Sequence, residues 1–313
     1  MRRLRRSALA TPGSNPHMIT KAAGSDADEV FLDLEDAVAP SERPAARDHI
    51  VDGLTRLDWG RKVRSVRING LDSDEGIEDL FAVVEGAGAV LDTIIVPKVR
   101  NASEVHTVDR LLGYLERRHR INRPIGLEIL IETVEGLARV QQIATASERI
   151  ETLIIGVGDL AASQGARVVG VEPDDFIDST LWLFARSQVL VAARSAGVEA
   201  IDGPFTRIAD LAGYERLVRQ ACVMGFSGKW AIHPSQLPVA NSGFGLHPAE
   251  RRWLSRLEEA YGPALDTGTG AIAMDGELID AAHLLMADRL RRLARLTEDL
   301  DPAETGAGSP PTG

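Results

Sequence analysis

The chain has a single cysteine, Cys222, in 313 residues. No disulfide can form within it, and no cysteine-based zinc site can be assembled. One cysteine suits a reducing cytoplasm. Its neighbours Ala221, Val223 and Met224 mark it as a small buried hydrophobe. No apolar run approaches the roughly 20 residues that a membrane span requires, so no membrane partner is expected. The N-terminus, Met1-Arg-Arg-Leu-Arg-Arg6, is basic, but Ser7-Ala-Leu-Ala10 is too short for a signal-peptide core. An excess of positive charge is also missing. With 35 Lys and Arg against 46 Asp and Glu, the formal net charge is −11. That argues against nucleic acid as a partner, while leaving room for an anionic ligand in a local basic pocket. There is no Gly-x-Ser-x-Gly elbow, no Walker-type loop and no short internal repeat.

What the chain does have is regular alternation. Short apolar runs occur at Ser7–Ala10, Glu29–Leu34, Val63–Ile68, Thr93–Val96, Ile125–Ile131, Thr152–Ile155, Val198–Ile201 and Lys229–Ile232. Their length and β-branched content are those of buried strands. Helical patterns separate them. Val105, Val108, Leu112 and Leu115 fall at helical spacing behind Asn101 and Glu104, which resemble a capping box. Ile208, Leu211, Leu217, Val218 and Ala221 form a similar stripe. Eight βα units predict an α/β fold of the (β/α)8 TIM barrel type over residues 1–245.

A C-terminal helical extension is expected over 246–300. His247-Pro248-Ala249-Glu250 opens one helix, with Pro248 in its first turn. A Gly-rich link, Thr267 to Ile272, follows, and a last helix is expected from near Gly276. On it Ile279, Ala282, Met286, Leu290 and Leu293 make an apolar stripe, which needs either the same barrel or a neighbouring subunit to cover it. Residues 301–313, rich in Gly and Pro, read as a disordered tail.

Function on such a barrel collects at the strand C-terminal ends. The first strand ends in Thr11-Pro-Gly-Ser-Asn-Pro16, a turn into a helix whose backbone N–H groups could hold a phosphate. The second ends in Asp33-Leu-Glu-Asp36, the third in Arg67-Ile-Asn69 and the fourth in Pro97-Lys98. Glu132 follows the fifth and Asp159 the sixth. The last two ends supply Asp202-Gly-Pro204 and His233-Pro-Ser235. Glu132 and Asp159, at adjacent strand ends, cannot both stay ionised cheaply without a cation between them. All-oxygen ligands favour Mg²⁺. The competing reading is two acidic helix N-caps. A divalent ion beside Arg67 suits a reaction through an enolate, the ion polarising a 2-oxo acid and the cation stabilising an oxyanion. Lys98 and Lys229 are the strand-end lysines, and neither clearly suits a Schiff base. His233 reads as a structural hydrogen-bonding group before a catalytic one.

Several of these segments are long enough to compare with a known family. Arg6 to Met18, Phe31 to Pro40, Ser65 to Asp72, Ile95 to Val99, Ile131-Glu-Thr133, Ile201 to Phe205 and Gly228 to Gln236 resemble malyl-CoA lyase. That enzyme lies in the citrate lyase β-subunit-like (HpcH/HpaI aldolase) superfamily. The resemblance is collinear from about Arg6 to Leu296. It implies a (β/α)8 barrel, a homotrimer or homohexamer, and Mg²⁺, with Mn²⁺ able to substitute. It implies reversible cleavage of malyl-CoA to acetyl-CoA and glyoxylate, with β-methylmalyl-CoA as a second substrate. The partners would be a CoA thioester and a glyoxylate-type 2-oxo acid. By motif, Glu132 and Asp159 would hold the metal, and Arg67 would face the thioester enolate. Glu35 and Asp36 would order the metal's water. Lys21, with Ser14 and Pro234, would bind the CoA side. Asp280, or as second choice Asp275, would act as acid/base in a neighbouring subunit's site. One departure is the stretch from Gln164 to Asp178, shorter and less aromatic than in malyl-CoA lyases, so the reaction class is implied more narrowly than the substrate. On the same scaffold, a malyl-CoA thioesterase, a citramalyl-CoA lyase or a citrate-lyase β-like subunit would share Glu132, Asp159 and Arg67. A barrel serving only as a binding module would not need them.

Overall fold

The structure is a computed structural model and describes residues 3–167, 182–266 and 271–298. Most of Gln164–Asp178, the link Thr267–Gly270 and the tail 301–313 lie outside the described residues. The strands are β1 (Ser7–Pro12), β2 (Glu29–Asp33), β3 (Val63–Arg67), β4 (Thr93–Val96), β5 (Gly126–Ile131), β6 (Ile150–Ile155), β7 (Glu199–Asp202) and β8 (Gly228–Ala231). They pair in chain order as a closed parallel barrel, β1 joining β8. Each expected strand is present, with its ends moved by no more than two residues.

Among the described residues, the helices that lie outside this barrel are α1 (Pro16–Ala23), α2 (Arg43–Arg56), α3 (Asp74–Ala87), α4 (Ala102–His119), α5 (Val134–Ala138), α6 (Val140–Ala144), α7 (Val157–Gln164), α8 (Leu183–Ala196), α9 (Leu211–Met224) and α10 (Leu237–Gly243). In α4 the expected stripe Val105, Val108, Leu112 and Leu115 is buried. Its cap differs from a simple box. Asn101 Oδ1 accepts from Ser103 N at 3.0 Å and Glu104 N at 3.3 Å, while Glu104 reaches back to Arg100 N at 2.7 Å. In α9 the expected stripe is corrected. Ile208 precedes the helix and is exposed, as is Leu211, while Val218 and Ala221 are buried as expected, Leu217 is partly buried, and Gly213 and Tyr214 complete the buried face. Tyr214 takes the inner position because its hydroxyl reaches Trp230 O at 3.2 Å. Cys222 is half-buried against the core rather than fully inside it.

Strand side chains alternate between the helix layer and the barrel interior, and the interior is stacked in layers. The lowest layer is polar. Arg5 Nε donates to Glu29 Oε2 at 2.7 Å, and Ser65 Oγ to Glu29 Oε1 at 3.0 Å. Thr93 and Thr152 donate to the two oxygens of Glu128 at 2.7 and 2.8 Å. Burial, and then the charge of Glu128, push the Glu29 carboxyl up to about 8. Above this floor lies an apolar plug of Ala8, Phe31, Ile95, Leu130, Ile154, Ile201 and Trp230. One further pleat toward the strand C-termini places Asp33, Arg67 and Glu132 on the same inner face, two residues beyond Phe31, Ser65 and Leu130.

The chain divides into two compact units, the first ending at Phe244 and the second beginning at Gly245. The second contains α11 (Pro248–Asp266), the antiparallel pair β9 (Ile272–Met274) and β10 (Glu277–Ile279), and α12 (Ala281–Glu298). Leu254, Leu257, Tyr261, Met274, Ile279 and Ala287 form its core. The last helix therefore begins at Ala281 and not near Gly276. Asp275 and Gly276 instead make the hairpin turn, with φ values of 53° and 86°, as a two-residue turn of Asp-Gly type favours. The expected stripe splits as well: Ile279 is buried within this unit, whereas Met286 and Ala282 are exposed.

Candidate active site

At the barrel mouth β2 and β3 end in register, with Asp33 opposite Arg67. Arg67 Nε donates to Asp33 Oδ1 and Arg67 Nη2 to Asp33 Oδ2, both at 2.7 Å. This is the two-pronged guanidinium–carboxylate pair, the strongest side-chain geometry of its kind. Asp33 also accepts from Glu35 N at 3.0 Å and Ala37 N at 3.1 Å. The remaining terminal nitrogen, Arg67 Nη1, lies 3.0 Å from Glu35 Oε2 and 3.4 Å from Asp36 Oδ2. The guanidinium carbon sits 5.6 Å from the Trp230 ring centroid. Burial works against the charge on Arg67, but Asp33, then Glu35 and Asp36, outweigh it and raise its pKa, so the group stays cationic.

Glu35 is shared between two cations. Its Oε1 lies 2.7 Å from Lys98 Nζ, which also reaches Asp36 at 3.7 Å. Burial raises the Glu35 carboxyl, and the cations Arg67 and Lys98 pull in the other direction. Lys98 has a left-handed backbone, φ 54°, and its N–H donates to Glu132 Oε1 at 2.9 Å. Glu132 is 2 % exposed. Burial, followed by the charges of Glu35 and Asp159, lifts its carboxyl well above the usual range. Gly156 makes room for it, since a Cβ there would stand 2.6 Å from Glu132 Oε2.

The helix-cap reading of Glu132 does not hold: the side chain that caps α5 belongs to Thr133, which accepts from Gly136 N at 3.0 Å. Asp159 lies half-buried inside the first turn of α7, beyond the cap position at Gly156. Burial beside the Glu35 and Asp159 carboxylates makes the charged form of Glu132 costly, and a hard divalent cation would offset that cost. Among the described residues no group of three or more His, Cys, Asp or Glu gathers as a metal cluster. Two carboxylates with the remaining positions left to water and substrate is the Mg²⁺ pattern.

The other expected residues fall elsewhere. Ser14 is half-buried in the turn before α1, and Lys21 is exposed in the last turn of that helix. That turn's Gly13 N–H is already given to Asp33 O at 2.8 Å, which ties it to the strand end. Pro234 opens a short 3-10 turn after β8. His233 Nδ1 accepts from Ser235 N at 3.2 Å, a local cap. Lys229 points away from the barrel interior, since Trp230 points in. Its ammonium is held by Asp202 Oδ2 and Gly203 O, both at 2.6 Å, and Arg186 pairs with the same Asp202. It is not a Schiff-base lysine at the mouth. In the second unit, Asp280 Oδ1 accepts from Ala282 N at 3.0 Å, capping α12, and lies 3.0 Å from His283 Nδ1. Hydrogen bonds from His283 and Ala282 lower its pKa, which keeps it an ionised acceptor. Asp275 pairs with Arg256 beside the hairpin turn.

Three residues in this geometry escape a reading of the sequence by itself: Asp33 as the clamp on Arg67, Trp230 beneath it, and Gly156 behind Glu132. The acidic run Asp33-Leu-Glu-Asp36 at the end of β2, with more acids than a cap requires, is the one local signal.

The HpcH/HpaI aldolase/citrate lyase family model matches residues 6–234. An L-malyl-CoA/β-methylmalyl-CoA lyase of Cereibacter sphaeroides is 36% identical over 301 residues, covering 93% of this chain and 95% of its own. A malyl-CoA/β-methylmalyl-CoA/citramalyl-CoA lyase of Chloroflexus aurantiacus is 32% identical, covering 86% and 81%. Among solved structures, the Mycobacterium tuberculosis protein CitE in complex with magnesium, acetoacetate and coenzyme A is 30% identical, with a TM-score of 0.74 over 94% of this chain and all of its own.

Proposed function

The chain belongs to the HpcH/HpaI aldolase/citrate lyase family, and on that premise we propose that it is a Mg²⁺-dependent carbon–carbon lyase of 3-hydroxyacyl-CoA thioesters. The substrate we assign is L-malyl-CoA, with β-methylmalyl-CoA as a second one, and the products are acetyl-CoA and glyoxylate. Glu132 and Asp159 would hold the metal, which would polarise the oxygens of the half of the substrate that becomes the 2-oxo acid.

The chain's own residues supply the rest. A base takes the proton of the 3-hydroxyl, whose oxygen becomes the aldehyde oxygen of glyoxylate. The electrons of the broken C2–C3 bond pass into the thioester, giving the enolate of acetyl-CoA. Arg67 stabilises the oxyanion of that enolate, which is stronger in the transition state than in the substrate and so accelerates the step. A proton then returns to the methyl carbon. Asp280 of a neighbouring subunit is our assignment for the group that exchanges these protons, in a trimer or hexamer. Glu35 and Asp36 would order the metal's water, and Ser14, Lys21 and Pro234 would bind the CoA side. A single cysteine fits a cytoplasmic enzyme.

The observation that carries this reading is Arg67, a buried cation fixed at the strand ends beside Glu132. Arg67→Lys tests it. An ammonium cannot reproduce the planar donor fork, so kcat should fall by about 100-fold, the scale of one lost oxyanion donor. A change confined to KM would make Arg67 a binding group only.

A further inference from the structure

We propose that Asp33 is the positioning residue of this site: by clamping one edge of the Arg67 guanidinium it turns Nη1 toward the open side, where the thioester oxygen would meet it beside Glu35 and Asp36. This rests on the enolate-stabilising reading of Arg67 and deepens it.

The Asp33 carboxylate is shared between Arg67 and the loop that follows β2. It is 1 % exposed and Arg67 7 %. All four of its contacts serve orientation. Two go to the Nε and Nη2 edge of Arg67, and two to the backbone N–H groups of Glu35 and Ala37. The pair is made between register partners of adjacent parallel strands, so the barrel itself sets its spacing. Trp230 lies against the guanidinium, 5.6 Å from ring centroid to Arg67 Cζ. The other terminal nitrogen, Nη1, reaches the open side, where it meets Glu35 and the half-exposed Asp36. Without the clamp the guanidinium could swing as a whole onto Glu35 and Asp36, which already hold Nη1. The cation would remain in the site but its donors would point at carboxylates. Asp33 thus supplies direction, and Arg67 the charge.

Asp33→Asn keeps the shape and replaces one acceptor oxygen with an NH₂ group. At Oδ1 that group would face Arg67 Nε–H and Glu35 N–H, and at Oδ2 Arg67 Nη2–H and Ala37 N–H, donor against donor in either case. The expected result is a kcat lower by about 100-fold, since a misplaced group costs that much, with KM for malyl-CoA changed by less than about threefold. The discriminating measurement is the same substitution made in Arg67→Lys protein, with folding of each variant checked by thermal melting. An ammonium has no plane to orient, so Asp33→Asn should there change kcat by less than about threefold. If the loss is the same multiple in both backgrounds, Asp33 merely holds the loop and the proposal is overturned. If Arg67→Lys loses kcat and Asp33→Asn does not, the Asp33 role alone falls. If Arg67→Lys changes only KM, the reading of Arg67 falls and takes this one with it. Should Asp33→Asn not fold, Asp33→Ser, small enough to admit a water, enters the same cycle with the same criteria.

Discussion

Lys98 gives its backbone N–H to Glu132 Oε1 at 2.9 Å from a left-handed conformation, φ 54°. An extended backbone at this residue would turn that N–H elsewhere. The same residue sends its ammonium to Glu35, 2.7 Å away. One strained position therefore connects the candidate metal ligand to the carboxylate that also meets Arg67. Left-handed backbone at a side-chain-bearing residue costs on the order of 1 kcal/mol or more, and it persists where the surroundings over-determine it.

Lys98→Gly and Lys98→Val separate the two parts of that residue. Glycine accepts the left-handed backbone without penalty, so Lys98→Gly should keep the amide on Glu132 and Mg²⁺ affinity within about threefold, because only a half-exposed ion pair is lost. Lys98→Val should lose roughly 1–3 kcal/mol in denaturant melts, the range for such strain in a β-branched residue. Equal stability for the two variants would show that the backbone conformation does not matter.

Glu132→Gln should abolish detectable Mg²⁺ binding by calorimetry while raising the melting temperature of the metal-free protein. The wild-type carboxyl is lifted by burial and by Glu35 and Asp159. An acid whose folded pKa is raised favours folding while protonated, and its support is lost as pH climbs from the unfolded toward the folded value. The stabilisation by Gln should therefore be larger at pH 8 than at pH 5. A metal-free Glu132→Gln protein that melts lower at both pH values would contradict this account.

Glu29, far below the mouth, makes a second pH prediction. Its carboxyl is pushed up to about 8 from an ordinary value of 4.5. Between those two values the unfolded chain releases a proton that the folded chain keeps, so stability falls as pH rises. Above about 8 the slope from this group ends. The slope of one such group is at most about 1.4 kcal/mol per pH unit. Glu29→Gln should flatten the melting-temperature profile over that window. An unchanged profile would mean that the proton is not held there.

Mixing subunits tests the assignment of Asp280. Asp280→Ala and Glu132→Ala proteins should each be inactive alone. After verified subunit exchange, some sites would combine an intact Asp280 with an intact Glu132, and activity should partly return. Activity that stays at the level of the separate variants would confine Asp280 to a structural role, the cap it forms on α12.

Much of this was legible in the chain because period and position carry it. Apolar strands such as Thr93–Val96 and Ile125–Ile131 are buried on both faces, which shortens the list of folds they can join, and residues at their ends are placed by the barrel itself. Glu132, Asp159 and Arg67 stand out for that reason. Asp33 does not, because its partner is 34 residues away and is chosen by strand register, a property of closure and not of either segment. The start of α12 was obscured for a different reason. Ile279 lies at helical spacing from Met286 and Leu290, yet it belongs to β10. Spacing alone cannot mark where a hairpin ends and a helix begins. In α9, Ile208 and Leu211 fit the stripe by hydropathy, but Tyr214 takes the inner position because its hydroxyl finds Trp230 O.

The most direct test is to incubate the protein with L-malyl-CoA and Mg²⁺ and to measure glyoxylate and free CoA separately, with a chelator-treated sample beside it. The expected result is glyoxylate and acetyl-CoA in equal amounts, no free CoA, and no turnover until Mg²⁺ is restored. Malate with free CoA, or full turnover in the metal-free sample, would contradict it.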